Sequence, residues 1–407
     1  MASTALSAPS RASHPLRNLN FRLLWAGRAV SALGDQCYFV ALPWLVLSLT
    51  NSSVALGTIL MMSAIPTAVF MLVGGAFSDR FSSRRILLTT TSARAILVAA
   101  IGTLIAFHAV ALWQVYVLAL AFGIADAFAA PAGQTLMPSV VEPEQLPAAN
   151  SVTQSTQQLA AIAGPAPAGL IVKTLGTAWA FIIDAFSFLF VIAALWRLPD
   201  PPQTAATKRG GMLHAISQGL RYVWSDAAMR SLLLVAAALN FCVAGPVSIG
   251  LAWIAKHEFG SPLAFSVLVI AVAAGGLSGA LLAGLLKPQR RGLLMIATSM
   301  IIAVLMATLG VVTQLWLLSA VLFLIAGAAG VLNVHIVAWL QQRVDREMLG
   351  RTMSVVMFAA VGLQPLSLAV AGITIGLSLP GTFVGAATVM LLVALLAAFH
   401  KPVRDIR

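Results

Sequence analysis

Apolar residues run without a charge from Gln36 to Ser78, which is length enough for two membrane-spanning helices of about 20 residues each. A polar break at Thr50-Asn51-Ser52-Ser53 divides them. The same texture continues along the chain and predicts spans over about 19–49, 54–78, 86–107, 112–137, 148–172 and 177–198. There it changes: Pro199-Asp200-Pro201-Pro202 ends the apolar run, and a polar stretch to Gly211 reads as a flexible linker. Leu213, Ile216, Leu220, Val223 and Trp224 then recur at helical spacing, predicting a short amphipathic helix over 212–229 that lies at the membrane surface. Six more spans follow, over about 231–255, 263–286, 293–312, 316–341, 352–377 and 382–399. The pattern therefore divides the chain into a tail (1–18), a six-helix half (19–198), a linker with its amphipathic helix (199–230), a second six-helix half (231–400) and a short tail (401–407).

Composition removes the alternatives. The chain is 60% hydrophobic and 9% charged, with a mean hydropathy of +0.96, values that no soluble domain of 407 residues has. The apolar runs are continuous rather than alternating, which excludes a strand barrel. The fold class expected is an all-α integral membrane protein of about twelve helices, without room for a separate soluble domain. A net charge of +12 raises nucleic acid as a partner, but the basic residues stand in small groups between spans. Arg80, Arg84 and Arg85, then Lys208, Arg209, Arg221 and Arg230, Lys287, Arg290 and Arg291, Arg343, Arg346 and Arg351, and Lys401, Arg404 and Arg407 fall on alternate loops, against only Lys173 and Lys256 on the others. That asymmetry puts the basic loops and both termini in the cytoplasm of a multi-pass cell-membrane protein, a bacterial inner-membrane protein by its type. The first 15 residues lack an apolar core, so the first span is expected to act as the insertion signal. Cys37 and Cys242 both fall within spans and support no disulfide framework.

The loop between the second and third spans carries the most specific pattern. Gly75-x-Phe77-Ser78-Asp79-Arg80-x-x-x-Arg84-Arg85 resembles the corresponding loop signature of the major facilitator superfamily, with Ser82 in place of its second glycine. Leu16-Arg17-Asn18-Leu19-Asn20-Phe21-Arg22, Ser31-x-x-Gly34-Asp35 and Ala41-Leu42-Pro43-Trp44 are similar to the drug and siderophore exporter branch, which includes enterobactin exporters and macrolide efflux proteins. Gly164-Pro165-x-x-x-Gly169 resembles the helix 5 signature of drug and proton antiporters, with Ala160 and Ala168 replacing two of its glycines. An arginine expected in the fourth span is absent, since 117–137 holds no basic residue. The resemblance implies two pseudo-symmetric six-helix halves. It also implies a cytoplasmic latch in which Asp79 meets the N-terminus of the eleventh span, placed by position at Gly350-Arg351-Thr352. An internal repeat agrees: Val141-Glu142-x-Glu144-x-Leu146-x-x-x-x-Ser151 recurs as Val344-Asp345-x-Glu347-x-Leu349-x-x-x-x-Ser354.

Ionisable residues inside spans cost several kcal/mol if left in hydrocarbon, about 2.5 or more each, and so mark function or pairing. Asp35 and Asp126 lie near mid-span, Arg94 in the third span, Asp184 in the sixth, and His335 beside Asn333 in the tenth. By resemblance, spans 1, 4, 7 and 10 line the central cavity. Asp35, Tyr38, Asp126, Asn240, Asn333 and His335 are thus the substrate-cavity candidates, and Asp126 and Asp35 the proton-coupling candidates. Arg28 shares a face with Asp35 two turns away, whereas Asp126 has no arginine on its own helix; this ranks Asp126 first as proton carrier and Asp35 first as substrate contact or bridge partner. A buried bridge from either aspartate to Arg94 or Arg28 stays open, and for Asp184 and His335 a purely structural role is the reading favoured.

No Walker loop, HExxH, CxxC or nucleophile elbow occurs, so neither an ATP-driven pump nor an enzyme is expected, and no cofactor or metal is called for. The function expected is alternating-access export of hydrophobic or amphipathic small molecules, a drug or siderophore, by proton antiport. The expected partners are the small-molecule substrate, protons and the lipid bilayer, with no nucleic acid, and the protein is expected to act as a monomer. Uptake of a metabolite or lipid by the same fold, or a non-transporting receptor or scaffold, are the alternatives.

Overall fold

The computed structural model describes residues 14–78, 81–200, 212–286, 288–404 and 406. Asp79 and Arg80 of the loop motif, and linker residues 201–211, lie outside the described residues. The first half is built from α1 (Leu19–Thr50), α2 (Ser53–Ser78), α3 (Ser83–Ala106), α4 (Leu112–Val140), α5 (Leu146–Ala163), α6 (Pro165–Thr174) and α7 (Thr177–Arg197). After α8 (Met212–Ser225) come α9 (Ala227–His257), α10 (Pro262–Leu285), α11 (Arg291–Thr308), α12 (Leu315–Arg343), α13 (Arg346–Gly362), α14 (Gln364–Leu377), α15 (Leu379–Phe399) and α16 (Lys401–Arg404). Among the described residues, eleven stretches are long and apolar enough to cross a membrane. The twelfth passage is α5 with α6, which Pro165 divides.

Both halves break their fifth passage in the same way. Pro165 stands in the first turn of α6 and Pro365 in the first turn of α14. A proline there lacks the N–H that would bond one turn back, and its ring crowds that carbonyl. Gly164 nevertheless keeps right-handed helical angles (φ −73°, ψ −38°), so the chain bends without turning back. Matching breaks in matching passages are what related transporter halves present at their shared interface.

The halves also begin alike. Asn18 caps α1, its Oδ1 accepting from the N–H of Asn20 at 2.9 Å, and Asp226 caps α9, accepting from Ala228 at 2.8 Å and Met229 at 3.1 Å. Each satisfies amide groups that the first helical turn leaves free. The predicted seventh span is therefore longer than expected, starting at the cap rather than at residue 231. The eleventh passage also starts earlier: α13 begins at Arg346, so Gly350 and Thr352 lie within the helix and their amides are not the free N-terminal donors. This corrects the expected latch partner, because a helix exposes only its first four N–H groups.

Across the pseudo-twofold, α2 packs on α14 and α6 packs on α10. These contacts gather at the end away from the basic loops, called here the far end. Ser53 Oγ donates to Gly372 O at 2.8 Å. A Cβ on Gly57 would stand 2.8 Å from Leu368 O and 2.9 Å from Gly372 Cα, so glycine is what lets α2 and α14 touch backbone to backbone. Lys256 Nζ donates to Ser48 Oγ at 2.9 Å and sits 4.3 Å over the Trp44 ring. His257 Nε2 lies 2.8 Å from Asn51 Oδ1. The halves are sealed together at this end.

Candidate functional site

At mid-depth in the first half, one guanidinium holds two carboxylates. Arg94 on α3 reaches Asp35 on α1 through Nη2 at 3.1 Å and Asp126 on α4 through Nη1, also at 3.1 Å. Both aspartates keep 40% of their side-chain surface open, against 17% for the arginine. The arginine is held by stacking: its Cζ lies 4.3 Å from the Phe122 ring centre and 4.7 Å from that of Phe188. Flat guanidinium groups take such faces well, leaving their edges for carboxylates.

A third carboxylate stands behind these. Asp184 on α7 is fully buried, and its neighbour Ser187 donates to the Asp184 carbonyl at 2.7 Å. Gly34, next to Asp35 in sequence, lets α7 come in: a Cβ there would overlap Ser187 and stand 3.0 Å from Asp184 Oδ1. One Asp184 oxygen, Arg94 Nε and the Tyr38 hydroxyl are buried without a hydrogen-bond partner. Two carboxylates thus share a single cation, and a third carboxyl and an unsatisfied hydroxyl lie close by. Groups of this kind are costly to bury unless they are paired or hydrogen-bonded.

Tyr38 connects the cluster to a cavity. Its ring stacks on Phe122 at 4.6 Å with planes 7° apart, and it lines an apolar chamber of about 270 Å³ just beneath the far-end seal. Phe39, Leu42 and Leu60 from the first half face Phe265 and Leu368 from the second, with Ser63, Thr67, Ser248 and Gln364 as polar points. A mostly apolar wall with a few polar anchors is the usual form of a small-molecule site.

The other predicted residues fall elsewhere. Asn240 is exposed on α9 and donates to Ala236 O of its own helix at 3.0 Å. Asn333 is exposed, whereas His335 is buried with Nδ1 2.9 Å from Val331 O. Two residues apart on a helix point to nearly opposite sides, so these two form no common patch. Arg28 makes no ion pair with Asp35, and Arg94 reaches both aspartates alike, so an arginine on the same helix does not set Asp126 apart from Asp35. Arg94 and Asp184 were visible as intramembrane charges, but their convergence depends on packing between α1, α3 and α7 that no local pattern encodes.

At the basic end, Arg84 Nε donates to Leu195 O at 2.7 Å and Nη2 to Trp196 O at 3.1 Å, capping the last turn of α7. Its Nη1 meets Asp200 at 3.1 Å, Arg85 adds a 3.4 Å contact, and Ser82 donates to the same carboxylate at 3.2 Å. The Arg84 hydrogen bond, followed by the Ser82 hydroxyl and the arginine charges, holds the Asp200 carboxyl below the usual range. The described arginines of the loop motif thus tie α3 to α7 within one half. Gly75 lies within α2. In the helix 5 motif, Gly164 and Pro165 mark the α5–α6 break, and Gly169 lies against Ser266 and Pro262 of α10.

Comparison with known proteins agrees with this architecture. The family model described as transmembrane secretion effector, of the major facilitator type, matches residues 10–406. The chain belongs to that family of transporters. It is 28% identical over 410 residues to the multidrug efflux pump Tap of Mycolicibacterium fortuitum, covering 96% of this chain and 97% of Tap. To macrolide efflux protein A of Streptococcus pyogenes it is 26% identical, over 69% of this chain and 70% of the relative. Among solved structures, a bacterial homologue of the lysosomal transporter Spinster, inward-facing and occupied, superposes with a TM-score of 0.72 at 13% identity, covering 95% and 97% of the two chains. A bacterial homologue of the iron transporter ferroportin, inward-facing, gives 0.71 at 14% identity, covering 94% and 99%. The protein is a multi-pass membrane transporter with the major facilitator fold, and its relatives are transporters rather than enzymes.

Proposed function

We propose that this transporter exports hydrophobic or amphipathic small molecules, drugs or siderophores among them, by alternating access coupled to proton antiport. The observation that carries the proposal is the Arg94 guanidinium shared between Asp35 and Asp126, both open at mid-depth. Proton binding to either carboxylate releases one arm of Arg94, and a carboxylate whose cation has turned away binds a proton more readily. The two aspartates therefore act as one unit rather than as a separate carrier and contact. Because Phe122 stacks on both Arg94 and Tyr38, movement of the guanidinium reaches the apolar chamber where substrate is proposed to sit. The names of Tap and macrolide efflux protein A support the export direction and the substrate class.

The basic end is assigned to the cytoplasm from the charge asymmetry of the loops, with both termini inside and the far-end seal on the outer side. The protein is taken to act as a monomer in the inner membrane. A cysteine at Gln289 is then shielded from an impermeant thiol reagent in intact cells, while one at Ser52 reacts. Uptake of dyes, drugs and siderophores into inverted vesicles, with and without an imposed proton gradient, tests the coupling. Gradient-dependent accumulation that Asp35→Asn and Asp126→Asn each abolish is expected; normal export by both variants would defeat it.

A further inference from the structure

Arg28 is an intramembrane cation that the coupling cluster does not use. It lies on α1 nine residues beyond Leu19, about 14 Å along the helix at 1.5 Å per residue, too deep to be accounted for by loop charge. Among the described residues no hydrogen bond or ion pair involves it. Its guanidinium points into the bundle rather than out to the headgroups: a Cβ at Gly133 on α4 would stand 2.6 Å from Nη2. A side chain that merely snorkels does the opposite.

Around it is a small recess between α1, α4 and α5. Trp25 and Met137 give apolar walls, and Thr153, Thr156 and Gln157 come from α5. The two threonine hydroxyls are spent as donors on their own helix, to Ala149 O at 2.9 Å and Val152 O at 2.8 Å. Trp25 Nε1 donates to Thr156 Oγ1 at 2.8 Å, pinning α5 against α1. What remains free to donate is the guanidinium and the exposed Gln157 amide, and no carboxylate lines the recess. Its volume of about 20 Å³ is room for a water-sized group, such as the oxygens of one oxyanion, and not for a whole substrate. A cation is repelled there; a carboxylate meets a planar fork of donors.

We propose that Arg28, with Gln157 beside it, is an anion subsite of the transport path: it takes the carboxylate of an amphipathic substrate entering from the basic end while the apolar body extends along α1 toward Tyr38. This rests on the export reading above and narrows its substrate class to molecules with an oxyanion group. Seen this way, the two arginines divide the work, since Arg94 is committed to internal carboxylates and Arg28 is left for one brought in.

Fluorescence polarisation with the purified full chain in phosphatidylcholine nanodiscs tests the assignment. Rhodamine B carries a free carboxylate, and rhodamine 6G is an esterified relative. Arg28→Gln is expected to weaken rhodamine B binding about tenfold or more, the size of a lost charged hydrogen bond, with rhodamine 6G affected less than about twofold by the same measure. Arg28→Lys restores part of the loss. Gly133→Ala, which displaces the guanidinium but keeps its charge, weakens rhodamine B in the same direction. Equal weakening of both dyes would make Arg28 a packing residue and overturn the subsite. Binding of rhodamine 6G alone by the wild type would overturn it while leaving the chamber reading intact; binding of neither dye would remove both. Phosphatidylglycerol that competes with rhodamine B in the wild type but not in Arg28→Gln would assign the recess to a lipid headgroup and overturn the substrate role.

Discussion

The two halves share a plan but divide its chemistry unequally. Their caps, Asn18 and Asp226, stand 208 residues apart, and so do the first residues of α3 and α11. At that spacing Asp35 corresponds to Val243 and Arg94 to Ile302. The starts of α4 and α12 are 203 residues apart, which sets Asp126 against Ala329, and those of α7 and α15 are 202 apart, which sets Asp184 against Ala386. Each member of the charged cluster thus corresponds by position to an aliphatic residue. The first half carries the charged cluster, and the second has aliphatic residues at the equivalent positions. On the reading proposed above, a proton-exchanging centre in one half needs only that half to change its internal pairing, after which the interface responds as a whole.

The largest expected effects come from collapsing that asymmetry. Arg94→Gln leaves Asp35 and Asp126 without their cation, and losing charged hydrogen bonds of this kind costs about 1.5–3 kcal/mol. Gradient-driven transport is expected to vanish and the melting temperature in detergent to drop. The mirror change, Ile302→Val, removes one methylene from the opposite half, costs about 1 kcal/mol, and leaves transport in place. Equal damage from the two would show that the halves share the coupling.

Next in size is the relation between the two aspartates. If they act as a unit on Arg94, Asp35→Asn and Asp126→Asn each lower gradient-driven export strongly, and the double variant is little worse than either single one. Independent, multiplying losses in the vesicle assay would separate their roles again.

A smaller effect is expected at the far-end seal. Gly57→Val wedges side-chain volume between α2 and α14, and overpacking of this kind costs about 1–3 kcal/mol, spent only when the seal is closed. Spin-label distances between residues 50 and 258 should lengthen on average. Unchanged distances would mean that the seal yields without opening.

The smallest expected difference concerns the caps. Asn18→Ala and Asp226→Ala each remove a helix cap worth about 1 kcal/mol, but only the second half's cap ionises. Burial pushes the Asp226 carboxyl up, yet the Met229 N–H, the Arg343 side chain and the Ala228 N–H together outweigh it and leave it below the usual range. Arg343 Nη2 lies 2.9 Å away. A carboxyl lowered by folding adds stability that is full above its unfolded pKa of about 3.9 and is lost as pH falls through the folded value. Melting curves of the wild type and Asp226→Ala should therefore converge below pH 4, while those of the wild type and Asn18→Ala stay apart.

Much of this molecule was legible from its residues. Uninterrupted apolar runs give the number and order of passages, since hydrocarbon allows a single chain little besides helices. Basic loops mark one end, and Asp35, Arg94, Asp126 and Asp184 declare themselves as charges where charges are expensive. What the residues withhold is depth and facing among different helices. Arg28 and Arg94 both stand within apolar stretches of their helices, and only the packing of α3 and α7 beside α1 decides which of them takes Asp35. Asn333 and His335 read as a polar pair, yet helical geometry turns them apart. The start of α13 was hidden because Asp345 and Glu347 resemble loop chemistry, although they flank the first residue of the helix.

The seal between α2 and α14 brings Gly57 against Gly372 and Leu368 O, main chain on main chain, with a single hydroxyl bond from Ser53 across it. Long interlocking side chains would have to lose and regain rotamer freedom at every turnover, up to about 2 kcal/mol for each of the more flexible ones. Bare backbones have almost none to lose. Such a joint works like two smooth plates rather than a zip fastener, able to part and meet many times without resetting any teeth.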